Sequence, residues 1–136
     1  LVVDKKSGAL KKIMKPVKFG LGSPLGTGQQ YLPWIHIKDL CRMFIHCIAH
    51  KKEGVFNAAN GYISNEEFMK TISKKMKKPF FFPAIPKPIL TFFLGEMSSM
   101  LTESLKVSNQ KIKQNGFEFL FPDFDSAMAN IMKNEG

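Results

Sequence analysis

Arginine is almost missing from this chain: among its twenty basic residues, Arg42 is the only one. Acidic residues are few as well, 11 against 20 basic, which leaves a net charge of +9. Such a field attracts phosphate-bearing ligands. Bidentate contacts to phosphates and bases nonetheless favour guanidinium over ammonium, so no nucleic-acid partner is expected. The lysines collect as Lys5-Lys6, Lys11-Lys12, Lys51-Lys52 and around Lys74 to Lys78, near the C-terminal ends of expected helices, where they oppose the helix dipole. No apolar run approaches the ~18 residues a membrane helix needs, so no membrane partner is expected.

Cysteine is scarce too. Cys41 and Cys47 lie six apart on one expected helix, on different turns, which excludes an intrahelical disulfide and fits a reduced, cytoplasmic setting. His46 and His50 share a helix face, but with His36 they form no zinc-type spacing, and no metal is expected. Of the two tyrosines, Tyr31 is followed four residues on by Ile35 and Tyr62 by Glu66, so neither has a lysine one turn away to lower its pKa. No catalytic residue is assigned.

What is present is a glycine-rich run, Gly20-Leu21-Gly22-Ser23-Pro24-Leu25-Gly26-Thr27-Gly28-Gln29-Gln30, leading into Tyr31-Leu32-Pro33-Trp34-Ile35-His36-Ile37-Lys38-Asp39-Leu40. Its glycines let backbone approach a ligand closely, and Trp34 and His36 supply a flat apolar face beside a titratable ring. The spacing is not G-x-G-x-x-G and no strand precedes it, which rules out a dinucleotide fingerprint here. Gln29, Gln30, Trp34 and His36 are the candidate substrate-binding residues, because amides read hydroxyls and carbonyls and indole stacks on flat faces. For His36 a hydrogen-bonded structural role competes with a catalytic one. Asp39 is expected to cap a helix, and Ser98, Ser99 and Asn57 are weaker polar options.

Those runs, with Val55-Phe56-Asn57-Ala58, Leu94-Gly95-Glu96-Met97, Gly116-Phe117-Glu118-Phe119 and Pro122, closely resemble the later half of the NAD(P)-dependent epimerase branch of the short-chain dehydrogenase/reductase superfamily. The similarity extends over nearly all of the chain and points to the atypical "epimerase family protein" group, some members of which carry a cell-division-inhibitor label. It implies an α/β fold: the C-terminal portion of an NAD(P)-binding Rossmann-type epimerase fold, then a small, mainly helical tail. The glycine-rich cofactor turn and the Tyr-x-x-x-Lys pair of that superfamily are not in this sequence, so the resemblance implies a C-terminal fragment without the cofactor-binding half. Opening on Leu1-Val2-Val3-Asp4 fits a start inside a strand. A complete small protein that lost a leader or tag is the alternative.

Periodicity places a helix from Ala9 to Phe19 interrupted at Pro16, a strand from Leu32 to Ile37, and a helix from Asp39 with Leu40, Met43, Phe44, Cys47 and Ile48 on one apolar face. The resemblance puts the first of these over the substrate pocket. A short strand follows at Val55 to Ala58 and a polar turn at Asn57 to Tyr62. Ser64 and Glu67 form a capping box for a helix with Phe68, Ile72 and Met76 buried, ended by Lys78-Pro79. The chain divides into residues 1–78, the substrate side of the epimerase domain, and residues 79–136, a small C-terminal domain. In the second part Phe80 to Phe82 reads as a buried strand or an exposed edge. Helices follow near Lys87 to Phe93, near Glu96 to Glu103 and from Ser108 to Gly116. Phe117 to Phe121 alternates as a strand, and Asp123 caps a last helix whose core face is Phe124, Ala127, Met128 and Ile131.

Two functions are expected from this reading. One is the substrate-binding portion of an NAD(P)-dependent nucleotide-sugar epimerase or oxidoreductase, binding no cofactor and inert by itself, with NAD or NADP in the full-length parent. The other is a stand-alone, non-catalytic binding or homodimerisation module derived from that fold.

Overall fold

The computed structural model describes residues 1–6 and 8–133. The chain begins with strand β1 (Val2–Val3) and helix α1 (Gly8–Lys18), followed by strands β2 (Tyr31–Pro33) and β3 (Ile35–His36) and helix α2 (Ile37–Ala49). Next come strand β4 (Tyr62–Ser64) and helix α3 (Asn65–Lys75). Four helices complete it: α4 (Lys87–Leu94), α5 (Met97–Thr102), α6 (Gln110–Gln114) and α7 (Phe124–Lys133). The mixed α/β architecture followed by a mainly helical stretch agrees with the expected fold class.

The expected single strand over Leu32 to Ile37 is split. Residues before Trp34 pair antiparallel with β4, as Leu32 opposite Ile63, and residues after it pair parallel with β1, as Ile35 opposite Val2. Trp34 belongs to neither ladder; its N–H donates to the Gly61 carbonyl at 3.2 Å and its carbonyl accepts from Asn60 N at 2.7 Å. Because the chain turns there, strict alternation of faces fails, and Trp34, Ile35 and His36 are all buried while Lys38 stands exposed.

α1 runs through Pro16 without a break. The proline removes one internal hydrogen bond, and the helix closes beyond it through Phe19 and Leu21 N–H groups donating to the Pro16 carbonyl. Leu10, Ile13 and Val17 bury the inner face. α3 packs against α1 and α7, with Phe68, Met69 and Ile72 inside, and its Ser64 cap accepts from Glu67 N at 3.3 Å. One apolar core joins these helices to Leu25, Trp34, Leu90, Leu101, Phe121 and the α7 face of Phe124, Ala127, Met128 and Ile131. Both sides of Pro79 therefore share a core.

A second cluster of Ile35, Met43, Ile112 and Phe117 holds α2 to α6. On α2 the expected apolar face is only half covered. Met43 is buried and Leu40 and Cys47 are half-buried, but Phe44 and Ile48 of that face are 63% and 77% exposed, as is neighbouring Ile45. The strands expected at Val55 to Ala58 and Phe117 to Phe121 do not form. Their polar groups are used otherwise: Lys111 Nζ donates to the Val55 carbonyl, and the Leu120 and Phe121 N–H groups donate to the Asp39 carboxylate. Of the expected strand at Phe80 to Phe82, one bridge remains, Phe80 to Gly22, and Phe81 is exposed.

Candidate small-molecule site

The glycine-rich run is folded tightly onto its own chain. A Cβ at Gly22 would lie 2.5 Å from Ser73 Oγ and 2.7 Å from the Pro79 carbonyl oxygen, so the close approach that glycine permits here is to α3 and its exit. Further along, Ile85 bridges Leu25: Ile85 N donates to the Pro24 carbonyl at 2.9 Å and Gly26 N to the Ile85 carbonyl at 3.0 Å. Asn65, the first residue of α3, accepts from Leu25 N at 2.7 Å. Sequence reading missed Asn65, because only the fold brings it to the loop.

Gln30 is the central pin. Its Nε2 donates to the carbonyls of Leu25 (2.6 Å) and Leu101 (2.7 Å), and Thr27 Oγ1 donates to its Oε1 at 3.0 Å. All of the amide's reach is spent within the chain. Gln29, by contrast, is exposed. Trp34 packs edge-on against Phe124 with ring centroids 5.3 Å apart and is 4% exposed.

His36 lies at the N-terminus of α2, where its Nδ1 accepts from Lys38 N at 3.1 Å. It, and not Asp39, is the cap. Its ring lies 4.1 Å from that of Phe121, and Nε2 makes no close hydrogen bond, Asn130 adding only a minor hydrogen-bonding pull. Burial pushes the His36 pKa below its ordinary value; the Asp39 carboxylate partly opposes this, while Lys38 adds to it. Asp39 sits in the first turn, fully buried. Its Oδ1 accepts from Leu120 N at 2.7 Å and from Arg42 Nη1 at 2.9 Å, and its Oδ2 accepts from Phe121 N at 3.2 Å. Arg42 also donates to the Glu118 carbonyl. The carboxylate thus ties α2 to the chain 81 residues later.

Of the four candidate residues, the structure brings Gln30, Trp34 and His36 into the interior and leaves Gln29 outside. Among the described residues no group of three His, Cys, Asp or Glu side chains could hold a metal. Both cysteines are free.

Beside the glycine-rich run, between α1 and α4, lies an open cleft of about 540 Å³. Ile13 and Pro16 of α1, Leu25, Met69 of α3, and Leu90 and Phe93 of α4 line it, and its polar side chains are those of Lys12 and Lys15. Size and apolar lining are those of a small-molecule site. The run from Gly20 to Gln30 therefore forms a wall by placing Leu21 and Leu25, with its amides turned to internal duty.

Residues 85–131 match the model of a domain of unknown function, DUF1731. The chain is 30% identical to the mouse epimerase family protein SDR39U1 over 97% of its own length and 46% of that protein's, and 34% identical to the Staphylococcus epidermidis epimerase family protein SERP0438 over 98% and 45%. The crystal structure of human SDR39U1 with NADPH superposes with a TM-score of 0.88 at 31% identity, over 98% of this chain and 46% of that one. This chain is a relative of the epimerase family proteins. It corresponds to a C-terminal portion of such a protein, the part containing DUF1731, and spans about half the length of the curated relatives it matches. The fold is shared more widely: the Thermus thermophilus UDP-glucose 4-epimerase complex with NAD superposes at a TM-score of 0.65 and 13% identity.

β1 leads to α1 through a connection bearing Asp4, Lys5 and Lys6, with no glycine-rich turn. No helix is long and apolar enough to cross a membrane among the described residues.

Proposed function

We propose that this chain forms the substrate side of an NAD(P)-dependent epimerase or oxidoreductase, with residues 1–78 as the epimerase-domain portion and residues 79–136 as the small C-terminal domain packed against it. The observation that carries the reading is the cleft between α1 and α4, a small-molecule wall on a backbone of which 98% superposes on part of a relative whose structure was solved with NADPH. Leu21 and Leu25 of the glycine-rich run line the cleft, and Gln29 of the same run is exposed to solvent. Gln30, Trp34 and His36 act through position: Gln30 holds the loop against α5, Trp34 fills the core beneath it, and His36 fixes the start of α2.

The sequence holds neither a Tyr-x-x-x-Lys pair nor a glycine-rich turn of cofactor spacing, so in this reading the hydride and proton steps belong to a longer protein. The exposed Phe44, Ile45 and Ile48 of α2 are the face on which the rest of that protein packs. NADPH fluorescence titration tests this. The chain alone is expected to leave the emission unchanged, and the chain joined to the N-terminal half of a relative is expected to alter it saturably. Tight binding by the chain alone, or none by the joined protein, sinks the proposal.

The same α2 face supports a second reading, a non-catalytic homodimer. Sedimentation separates the two: a Phe44→Lys variant restores monomers only if α2 is the contact between copies.

A further inference from the structure

The cleft's lining is specific about chemistry. Its walls come from Ile13, Leu25, Met69, Leu90 and Phe93, and no hydroxyl, amide or carboxylate side chain is among them. A sugar hydroxyl or a ribose buried there would lose its hydrogen bonds to water without replacement, which is unfavourable for every polar group so placed. A hydrocarbon tail loses nothing and gains the contacts. The polar side chains that do line the cleft, Lys12 and Lys15, are of one kind and one sign. They stand three residues apart on α1, on neighbouring turns, where two ammonium groups can flank one anionic head.

Neither lysine forms an ion pair among the described residues, where the pairs are Arg42 with Asp39 and Lys75 with Asp125. α1 as a whole carries Lys11, Lys12, Lys15 and Lys18 and no acid, so no carboxylate of its own competes for them. Long lysine stems also lie well along apolar walls while their heads stay in water. Charge and lining together describe an amphiphile with a negative head and an apolar body.

We propose that this cleft binds a single-chain acyl carboxylate, with the tail between α1 and α4 and the carboxylate at Lys12 and Lys15. The inference rests on the reading of the cleft as the substrate side, and it replaces a nucleotide-sugar-like substrate with an apolar acid. An open cleft of about 540 Å³ has room for such a tail. The exposed Phe19 and Ile89 extend the same apolar surface outward.

The test is calorimetric titration of the chain with octanoate, decanoate and dodecanoate below their micelle concentrations, located by methyl chemical-shift changes. No cofactor is added, so failure here leaves the NADPH titration untouched, and failure there leaves this binding to be read by itself. Affinity is expected to rise by up to about fourfold per added methylene, the gain for burying one CH₂, with shifts at Ile13, Met69 and Leu90. Lys12→Gln with Lys15→Gln, both exposed, is expected to weaken dodecanoate about tenfold while leaving dodecanol unchanged. Ile89→Trp, a bulky change at an already exposed position on the cleft, is expected to block both. Equal affinity for dodecanoate and dodecyltrimethylammonium, or shifts confined to α2, overturns the proposal. So does binding to phosphatidylglycerol vesicles with none to monomeric dodecanoate, which would make the patch a membrane-docking surface.

Discussion

Beside the α3–α7 core, two further regions join the later part of this chain to the earlier part, and they do so by different means. Around α2 directional polar ties stand beside the apolar cluster with α6: Asp39, fully buried, receives the Leu120 and Phe121 N–H groups, and the Asn60 side-chain amide donates to the Phe121 carbonyl. Around α4 the junction is almost wholly apolar. Leu90 alone of that helix is buried, while Phe92 and Phe93 are 85% and 76% exposed. The first junction sets register, because a carboxylate accepts only from donors aimed at it. The second sets proximity, because apolar contact has no direction. It is the second that borders the cleft, so the ligand wall is built where the packing is least exacting.

Removing Asp39 should have the largest effect on stability. Asp39→Ala strands two backbone donors and the Arg42 guanidinium in one step and is expected to cost about 4 kcal/mol. Asp39→Asn keeps one acceptor and should cost less. Urea unfolding followed by far-UV circular dichroism measures both. If the alanine variant unfolds at the parent midpoint, the polar junction holds nothing.

At the apolar junction the expected effects divide within one helix. Leu90→Ala empties a buried site and is expected to cost about 3 kcal/mol. Phe92→Ser, two residues on, removes a larger ring that touches mostly water and should change stability by about 0.5 kcal/mol or less. The same urea titrations check the pair, and a costly Phe92→Ser would mean that its ring is covered in solution.

The local elements of this architecture were legible and the long-range polar ties were not. Ser64 with Glu67 announced α3, and Asp123, whose Oδ1 accepts from Ser126 N at 2.7 Å, announced α7; both signals lie within one turn of the helix they start. Asp39 also looked like a cap, since a carboxylate before an apolar helical run fits one, but the backbone N–H groups it accepts from lie 81 and 82 residues away. Gln30 looked like a ligand-reading amide for the same reason: nothing local reveals that its Nε2 will meet the Leu101 carbonyl 71 residues on. Phe117 to Phe121 alternates like a strand, yet two of its donors go to that one carboxylate in place of a neighbouring strand. The cleft was half legible. The helix over it was read from its spacing, whereas its apolar lining depends on α4 folding back, which periodicity does not encode.

The smallest expected effect is that of proton binding at His36, which caps α2 against Phe121. Burial lowers its pKa in the folded chain, so between the folded value and the ordinary value near 6.5 the unfolded chain binds more protons. Stability is therefore fully present above about pH 6.5 and is lost as pH falls through that value toward the folded-state pKa. The apolar junction at α4 has no such group and should not contribute to the slope. His36→Asn keeps a side-chain acceptor for Lys38 N, since asparagine is a good cap, and removes the titration. Its absolute stability should fall through loss of the ring contact with Phe121, but the slope of unfolding free energy between about pH 7 and pH 5.5 should flatten. An unchanged slope in the variant would place the pH sensitivity elsewhere and leave the α2 junction a matter of the Asp39 carboxylate alone.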